Sequence, residues 1–145
     1  MQIIQASTFE KARVAIKKAD KPVIFSSNDD ELNRKVLEKE KIDILLINLK
    51  NRKDWQKQRN SGFDSVMARE ASKKSVVIAI NLDELVNSSG KGKEKIEILT
   101  RIRQNIELCK KYKVKMTFIP ISKDIYNLKA LGLVLGMPNW MTKNL

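Results

Sequence analysis

Five short apolar segments recur along the chain, and each is followed by a longer segment with helical spacing of its apolar residues. Four of them, 22–25, 42–49, 76–82 and 115–119, are continuous apolar runs, and a weaker one covers 2–5. Continuous apolar character is typical of strands buried on both faces, as in parallel sheets. The sequence therefore predicts about five parallel strands.

The segments between these strands carry apolar residues three and four positions apart, which places each set on one face of a helix. The stripes are Phe9, Ala12, Ile16 and Ala19; Leu32, Val36 and Leu37; Phe63, Val66, Met67 and Ala71; Ile96, Leu99, Ile102, Ile106 and Cys109; and Ile125, Leu128, Leu131 and Leu135. Strand followed by helix, five times, predicts an α/β fold of βα repeats with right-handed crossovers. At 145 residues, a single domain over 1–145 is the simplest organisation.

Five βα units are too few for a closed eight-stranded barrel, which needs roughly 200 residues or more. The alternatives are an open doubly wound sheet and a partial barrel, and either has free edges. If the strands pair in chain order, 2–5 and 115–119 are those edges. An open edge invites association, with another protein or as a homodimer.

Helix boundaries support this division of the chain. Ser27 or Asn28 is the expected N-cap of the second helix, and Ser122 with Asp124 opens the last one. Gly136 followed by Pro138 is a stop signal. Asp29 and Asp30 fit capping better than metal binding, so we expect no metal site.

The charge balance indicates an anionic partner. Lys and Arg number 29 against 17 Asp and Glu, which gives a net charge of +12. No helix joins a strong apolar face to a basic one, so nucleic acid is favoured over a membrane surface. Histidine is absent, which removes the commonest general acid/base. The lone Cys109 lies on an apolar stripe, so we expect it to pack in the core of a cytoplasmic protein.

Two long basic connections follow the third and fourth strands, at 50–62 and 87–95. In parallel βα folds such loops form the functional face, so both should project from the same end. The shared cations would be Lys50, Arg52, Lys53, Lys57, Arg59, Lys91, Lys93 and Lys95. Trp55 could stack on an unpaired base while its neighbours hold phosphates. The alternative is a solvated loop with the indole packed on the core.

The long fourth helix adds a weaker basic signal. Arg101 and Arg103 are expected on its polar side. Lys110, Lys111 and Lys113 lie at its C-terminal end, where the helix dipole alone explains them.

Several motifs, in this order, resemble one family. They are DELNRKV at 30–36, RNSGFD at 59–64, INL at 80–82, RIRQNIELCKKYKV at 101–114 and LGM at 135–137. Over roughly 20–137 the chain is similar to the ribonuclease P protein component 3 family, the TIM-barrel-like protein subunit of archaeal and eukaryotic ribonuclease P. Measured against that family, it resembles a short form lacking about two N-terminal βα units, hence a shortened, partial TIM-barrel-like fold.

The resemblance implies a non-catalytic RNA-binding subunit of the ribonucleoprotein that removes the 5′ leader from precursor tRNA. The RNA subunit would carry the active site with its magnesium ions, so the protein itself would bind no cofactor. The small ferredoxin-like component 2 would be its protein partner, with the helix at 63–73 as a candidate contact. By motif match, Arg34, Arg59, Arg103 and Lys111 would touch RNA. A stand-alone barrel enzyme acting on a phosphorylated substrate and a generic basic RNA-binding module are the alternatives.

Overall fold

The computed structural model describes residues 2–54, 56–87, 92–120 and 124–145. The strands are β1 (Ile3–Gln5), β2 (Ile24–Ser26), β3 (Ile44–Ile47), β4 (Val77–Asn81) and β5 (Met116–Ile119). The helices are α1 (Phe9–Lys18), α2 (Asp30–Lys39), α3 (Ser65–Lys74), α4 (Leu82–Val86), α5 (Gly92–Tyr112), α6 (Ile125–Leu135) and α7 (Asn139–Thr142).

The five strands form one sheet in the order β1-β2-β3-β4-β5, and every neighbouring pair is parallel. In the central register, Ile44 lies opposite Ile24 on one side and Val77 on the other. The prediction of five parallel strands is confirmed. Since the order follows the chain, β1 and β5 are the edges, as expected.

The two faces of the sheet have different neighbours. Successive residues of a strand point to opposite faces. In β3, Leu45 and Ile47 pack into the large core, which also holds every buried apolar side chain of the helices. Ile44 and Leu46 point the other way, into a small cluster made of strand residues alone. The helices therefore cover one face, as on the outside of a barrel, and the fold is a partial TIM-barrel-like sheet rather than a doubly wound one.

The start of α2 differs from the prediction. The N-cap of α2 is Asp29, whose carboxylate accepts the backbone N–H groups of Glu31 and Leu32. Ser27 instead accepts the Asp29 N–H, so the expected cap at Ser27 or Asn28 was wrong by one or two residues. Asp29 directly precedes the helix, so its Oδ1 lies within reach of the free N–H groups of the first turn. Asp124 caps α6 as expected, whereas Ser122 lies outside the described residues.

The connection after β4 is more helical than predicted. Leu82 begins the short helix α4 instead of ending the strand, with Asn81 as its N-cap. Helix α5 begins at Gly92, so Lys93 and Lys95 lie on its first turns and not in a loop. The end of α6 is confirmed, since Gly136 adopts a left-handed conformation with φ of 107°. In the part of the chain that the structure describes, no helix is long and apolar enough to cross a membrane.

Candidate nucleic-acid interface

The segment 49–62, called here the basic loop, follows β3 at the carboxyl end of the sheet and leads to α3. Five of its side chains are cations, at Lys50, Arg52, Lys53, Lys57 and Arg59. The described part of the loop contains no helix or strand, so its backbone groups need partners elsewhere. Side chains from α4 and α5 provide several of them.

Arg101 of α5 is the central anchor of the basic loop. Its guanidinium donates to the backbone carbonyl oxygen of Arg52 at 2.9 Å and, more weakly, to that of Leu49 at 3.5 Å. A third bond reaches the Asp54 carboxylate at 3.1 Å. The side chain is only 3% exposed, so the expectation that Arg101 lies on the polar side of its helix was wrong. Its hydrogen bonds go to the loop, because a buried guanidinium requires partners.

Arg52 is the second cation that acts inside the protein. It forms a bidentate salt bridge with Asp30 at 2.7 and 2.9 Å and donates a hydrogen bond to the Asn48 carbonyl oxygen at 2.8 Å. Its guanidinium lies against Gly62, whose φ is +69°, and a Cβ there would lie 2.4 Å from Nη2. The glycine of the RNSGFD motif thus has a structural reason, since only glycine combines that φ with that approach.

Amide side chains of α5 hold the C-terminal part of the loop. Gln104 donates to the Arg59 carbonyl at 3.0 Å and to the Ser61 hydroxyl at 3.2 Å. Asn105, which is buried, donates to the Ser61 carbonyl at 3.2 Å. At the other end, Glu84 of α4 accepts the N–H groups of Leu49 and Lys50 at 2.7 and 3.0 Å. The basic loop is therefore fixed at both ends.

Asp54 closes the loop on itself. Its carboxylate accepts the Asn60 backbone N–H at 2.9 Å, which joins two positions six residues apart. That hydrogen bond, and after it the bond and charge of Arg101, lower the pKa of the Asp54 carboxyl below its usual range. The acid therefore stays ionised and keeps the two halves of the loop together.

A cavity of about 610 Å³ opens at the carboxyl ends of β2, β3 and β4, beside the N-terminal part of the basic loop. We call it the mouth cavity. It is lined by Asn28, Asp30, Asn48, Lys50, Asn51, Arg52, Lys53, Asn60, Asn81 and Glu84. All ten are polar, so the cavity suits a polar or charged ligand rather than an apolar one.

A second cavity of about 660 Å³ lies against the C-terminal part of the loop and α2, α3 and α5. Its lining includes three of the predicted RNA-binding cations, Arg34, Lys57 and Arg59. Lys57 and Arg59 are exposed, and Arg34 pairs with Glu38 on its own helix at 3.3 Å. The structure thus brings Arg34 to the loop from a distant part of the sequence.

The remaining predicted cations are spread along α5. Lys93 and Arg103 are exposed, and Lys50 reaches Glu94 at 3.7 Å, which ties the first turn to the loop. Lys111 is exposed too, but it lies 18 residues beyond Lys93, which is about 27 Å along a helix. It is also six residues beyond Asn105, the last α5 residue bonded to the basic loop, or about 9 Å further along the helix. Trp55 and Lys91 lie outside the described residues.

The sequence interpretation missed the polar residues that hold the loop. Arg101 and Asn105 lie three and seven positions after Ile98, so helical spacing places all three on the buried face. That spacing could have identified them. Asn48 and Asn81 mark the carboxyl ends of two strands, where βα folds bring side chains together, and this position could have identified them too.

Cys109 is fully buried, as expected. Burial raises the pKa of its thiol to about 12. Among the described residues there is no group of three or more His, Cys, Asp or Glu arranged to hold a metal ion.

The chain was compared with family models, with curated proteins and with solved structures. No family model matches the chain. Ribonuclease P protein component 3 of Methanococcus maripaludis is 34% identical over 120 residues, which are 83% of this chain and 48% of that protein. Its counterpart in Methanosarcina mazei is 30% identical over 108 residues, 74% of this chain and 41% of the relative. The chain thus spans about half the length of the curated relatives it matches, or somewhat less.

The fold has a solved counterpart. A chain in the cryo-EM structure of archaeal Ribonuclease P with mature tRNA superposes with a TM-score of 0.76 at 25% identity. The match covers 97% of this chain and 62% of that one.

Proposed function

Since the chain is a homologue of ribonuclease P protein component 3, we propose that it is a non-catalytic RNA-binding subunit of ribonuclease P. In this role it supports removal of the 5′ leader from precursor tRNA by the RNA subunit. The observation that carries the proposal is the basic loop, whose backbone is fixed from α4 and α5 while Lys50, Lys53, Lys57 and Arg59 remain at the surface.

The carboxylates beside the loop support a binding role. Asp30 is engaged by Arg52, Glu84 by two backbone N–H groups, and Asp54 by Asn60 and Arg101. A general acid or base must be able to exchange its proton with a substrate, whereas these three carboxylates accept hydrogen bonds from groups of the protein itself. We propose that the chemistry and the magnesium belong to the RNA subunit, and that this chain binds no cofactor of its own.

The distribution of cations indicates where the RNA lies. Lys50 and Lys53 line the mouth cavity, and Lys57, Arg59 and Arg34 line the second cavity. Phosphate contacts fix the register of a protein on RNA without reading its sequence. We propose that an RNA strand crosses the basic loop between the two cavities, and that Lys93 and Arg103 extend this contact along α5.

The experiment replaces Lys50, Lys53, Lys57 and Arg59 with Gln and measures binding to ribonuclease P RNA over a range of salt concentrations. Its control replaces four exposed lysines at the opposite end of the fold: Lys17 and Lys18 of α1, Lys39 of α2 and Lys73 of α3. Both variants lower the formal net charge of +12 by four, so they share any effect of overall charge.

We expect only the loop variant to bind more weakly. Removing one phosphate interaction should lower the slope of log K against log salt by about 0.7 to 0.9, so removing four should lower it by about 3. In the reconstituted particle the same variant should slow precursor tRNA cleavage. Equal weakening by both variants, or no weakening by either, would contradict the proposal.

We propose component 2 as the protein partner and the cytoplasm as the compartment. The edges of β1 and β5 are open for pairing within the described sheet, and a homodimer through one of them is the alternative. Size measurement at micromolar concentration, with and without component 2, separates these outcomes. A monomer that ignores component 2 would refute both.

A further inference from the structure

The mouth cavity contains a group of amide side chains that phosphate binding does not explain. Five of its ten lining residues are asparagines, at positions 28, 48, 51, 60 and 81. The strands bring three of them together: Asn81 ends β4, Asn48 directly follows β3, and Asn28 lies two residues after β2. Only Asn81 of these three lies within a strand, where asparagine is disfavoured, and its side chain there caps the N-terminus of α4.

Hydrogen bonds hold the inner amides in place. Asn81 donates to the Asn48 side-chain oxygen at 2.9 Å, and Asn48 donates to Ser26 and Asn28 at 3.3 Å each. The Ser26 hydroxyl in turn donates to the Leu46 carbonyl at 3.1 Å. Asn81 also accepts the N–H groups of Asp83 and Glu84, which fixes its orientation.

Two amides at the rim keep free hydrogen-bonding capacity. Asn28 and Asn51 are exposed, and within the described part of the chain the Asn28 amide nitrogen and both polar atoms of the Asn51 side chain have no partner. Lys50 and Lys53 lie on the same rim. The cavity therefore offers amide donors and acceptors beside two cations.

This combination matches a nucleotide. An amide presents a donor and an acceptor side by side and pairs in two-pronged fashion with a base edge, while ammonium groups hold a phosphate. The volume of about 610 Å³ lies within the range of ligand sites, about 300 to 1,000 Å³. The carboxylates Asp30 and Glu84 are engaged by their own partners, which offsets the repulsion that free carboxylates would exert on a phosphate.

We propose that the mouth cavity takes one unpaired nucleotide of a bound RNA, with the phosphate on Lys50 and Lys53 and the base edge on Asn28 and Asn51. The inference rests on the proposed RNA-binding function and adds a pocket that selects single-stranded over paired RNA. An RNA residue is favoured over a free nucleotide because the cavity opens beside the basic loop. The flanking phosphates can then contact Lys57 and Arg59, which line the second cavity and not the mouth cavity.

The test compares a short single-stranded RNA with a duplex that has the same number of phosphates. The mouth variant combines Asn28→Ala with Asn51→Gly. Glycine is chosen because Asn51 has a φ of 60°, where alanine would be strained. The control combines Asn139→Ala with Asn144→Ala, two exposed asparagines in and just after α7. Neither variant changes the charge.

We expect the mouth variant to bind the single strand about fivefold to tenfold more weakly, which corresponds to the loss of one or two hydrogen bonds. Its affinity for the duplex should stay at the parental value, and the control should match the parent with both RNAs. Parental affinity of a folded mouth variant for the single strand would overturn the proposal. So would an equal decrease in affinity for both RNAs, because a pocket for an unpaired nucleotide requires a difference.

Photocrosslinking gives a second readout that needs no substitution. With 4-thiouridine in the single strand, crosslinked peptides should include residues of 26–30 or 48–53, and crosslinks found only elsewhere would refute the inference. Competition with AMP and UMP separates the two sources of a nucleotide. If either displaces the RNA at a concentration near the Kd of the single strand, the cavity is a free-nucleotide site instead.

The failure of the pocket and the failure of the proposed function can be told apart. If the variant that lacks the four loop cations binds RNA weakly and the mouth variant binds it with parental affinity, the pocket is refuted and the RNA-binding function is supported. Parental binding by the loop variant would instead refute the function on which the pocket rests.

Discussion

Replacing Arg101 with Leu should destabilise the protein, although the change makes the core more apolar. The guanidinium is 3% exposed and contacts the Leu49 and Arg52 carbonyl oxygens as well as the Asp54 carboxylate. Leucine fills part of the volume but donates nothing. The Leu49 carbonyl belongs to a residue that is only 2% exposed, so water cannot readily replace the missing donor.

The size of the effect can be worked out from these bonds. The 2.9 Å bond from a charged donor to the Arg52 carbonyl is worth about 1.5 to 3 kcal/mol, and the 3.5 Å bond to Leu49 contributes about 1 kcal/mol at most. Removing a buried guanidinium also removes its desolvation cost, which offsets part of the decrease. We expect a net decrease of about 2 to 3 kcal/mol in the free energy of unfolding.

Urea denaturation measures this decrease, and hydrogen exchange shows where it acts. The exchange of the Asn60 and Gly62 N–H groups, which are bonded inside the loop, should accelerate more than that of the β3 strand. Arg103→Leu is the matched control, since it removes an exposed arginine two positions along the same helix and should change stability by less than about 0.5 kcal/mol. If both variants unfold at the same urea concentration, the anchoring role of Arg101 is refuted.

Three further outcomes concern the loop and the core. Gly62→Ala should cost about 1 to 3 kcal/mol, because it combines a φ of +69° with a clash against Arg52. Gly92→Ala, at a position with no positive φ and open space around the Cβ, should not destabilise the protein, and thermal unfolding compares the two variants. Because the pKa of the Asp54 carboxyl is lowered, the carboxylate stabilises the loop fully above about pH 4, and this stabilisation decreases as the pH falls through the folded-state pKa. Hydrogen exchange of the Asn60 N–H should therefore become less protected in acid in the parent protein, and Asp54→Asn should remove this pH dependence. Cys109, whose thiol has a pKa of about 12, should resist a thiol reagent in the native protein and react on unfolding, and labelling of the native protein at the unfolded rate would contradict its burial.

The sheet could be predicted from the sequence because its strands are buried on both faces. Continuous apolar runs such as Ile44–Ile47 are too short for a typical buried helix, which leaves a buried strand. The edges were predicted on the condition that the strands pair in chain order, which they do. The choice between a doubly wound sheet and a partial barrel could not be made from periodicity. It depends on which face each helix covers, and both arrangements use the same amphipathic stripes.

The basic loop was identified from its composition, but the roles of its cations were not. Five positive charges in 50–62 look equivalent in the sequence, yet Arg52 pairs with Asp30, a residue 22 positions earlier. Such a pair depends on the tertiary approach of α2 to the loop, which no local pattern encodes. Arg101 differs in this respect, because its spacing from Ile98 and Asn105 did indicate the buried face. It was misplaced because arginine is seldom buried without a partner, and two of its partners here are backbone carbonyls.

Arg101 should affect RNA binding by holding the basic loop in place, and this effect can be separated from that of the four surface cations, which are proposed to contact phosphates directly. Four surface charges close together repel one another, and a loop free to move would spread them apart. The bonds from Arg101, Gln104 and Glu84 hold the backbone against that repulsion, so the protein does not have to order the loop when RNA binds.

Removing Arg101 should then weaken RNA binding while the same phosphates are still bound. We therefore expect Arg101→Leu to lower the affinity at every salt concentration while the slope of log K against log salt stays at the parental value. Arg103→Leu, if Arg103 contacts a phosphate, should lower both. A smaller slope of log K against log salt for Arg101→Leu would mean that phosphate contacts are lost, either those of Arg101 itself or those of the cations that it positions. The division into anchoring and contacting cations would then be wrong.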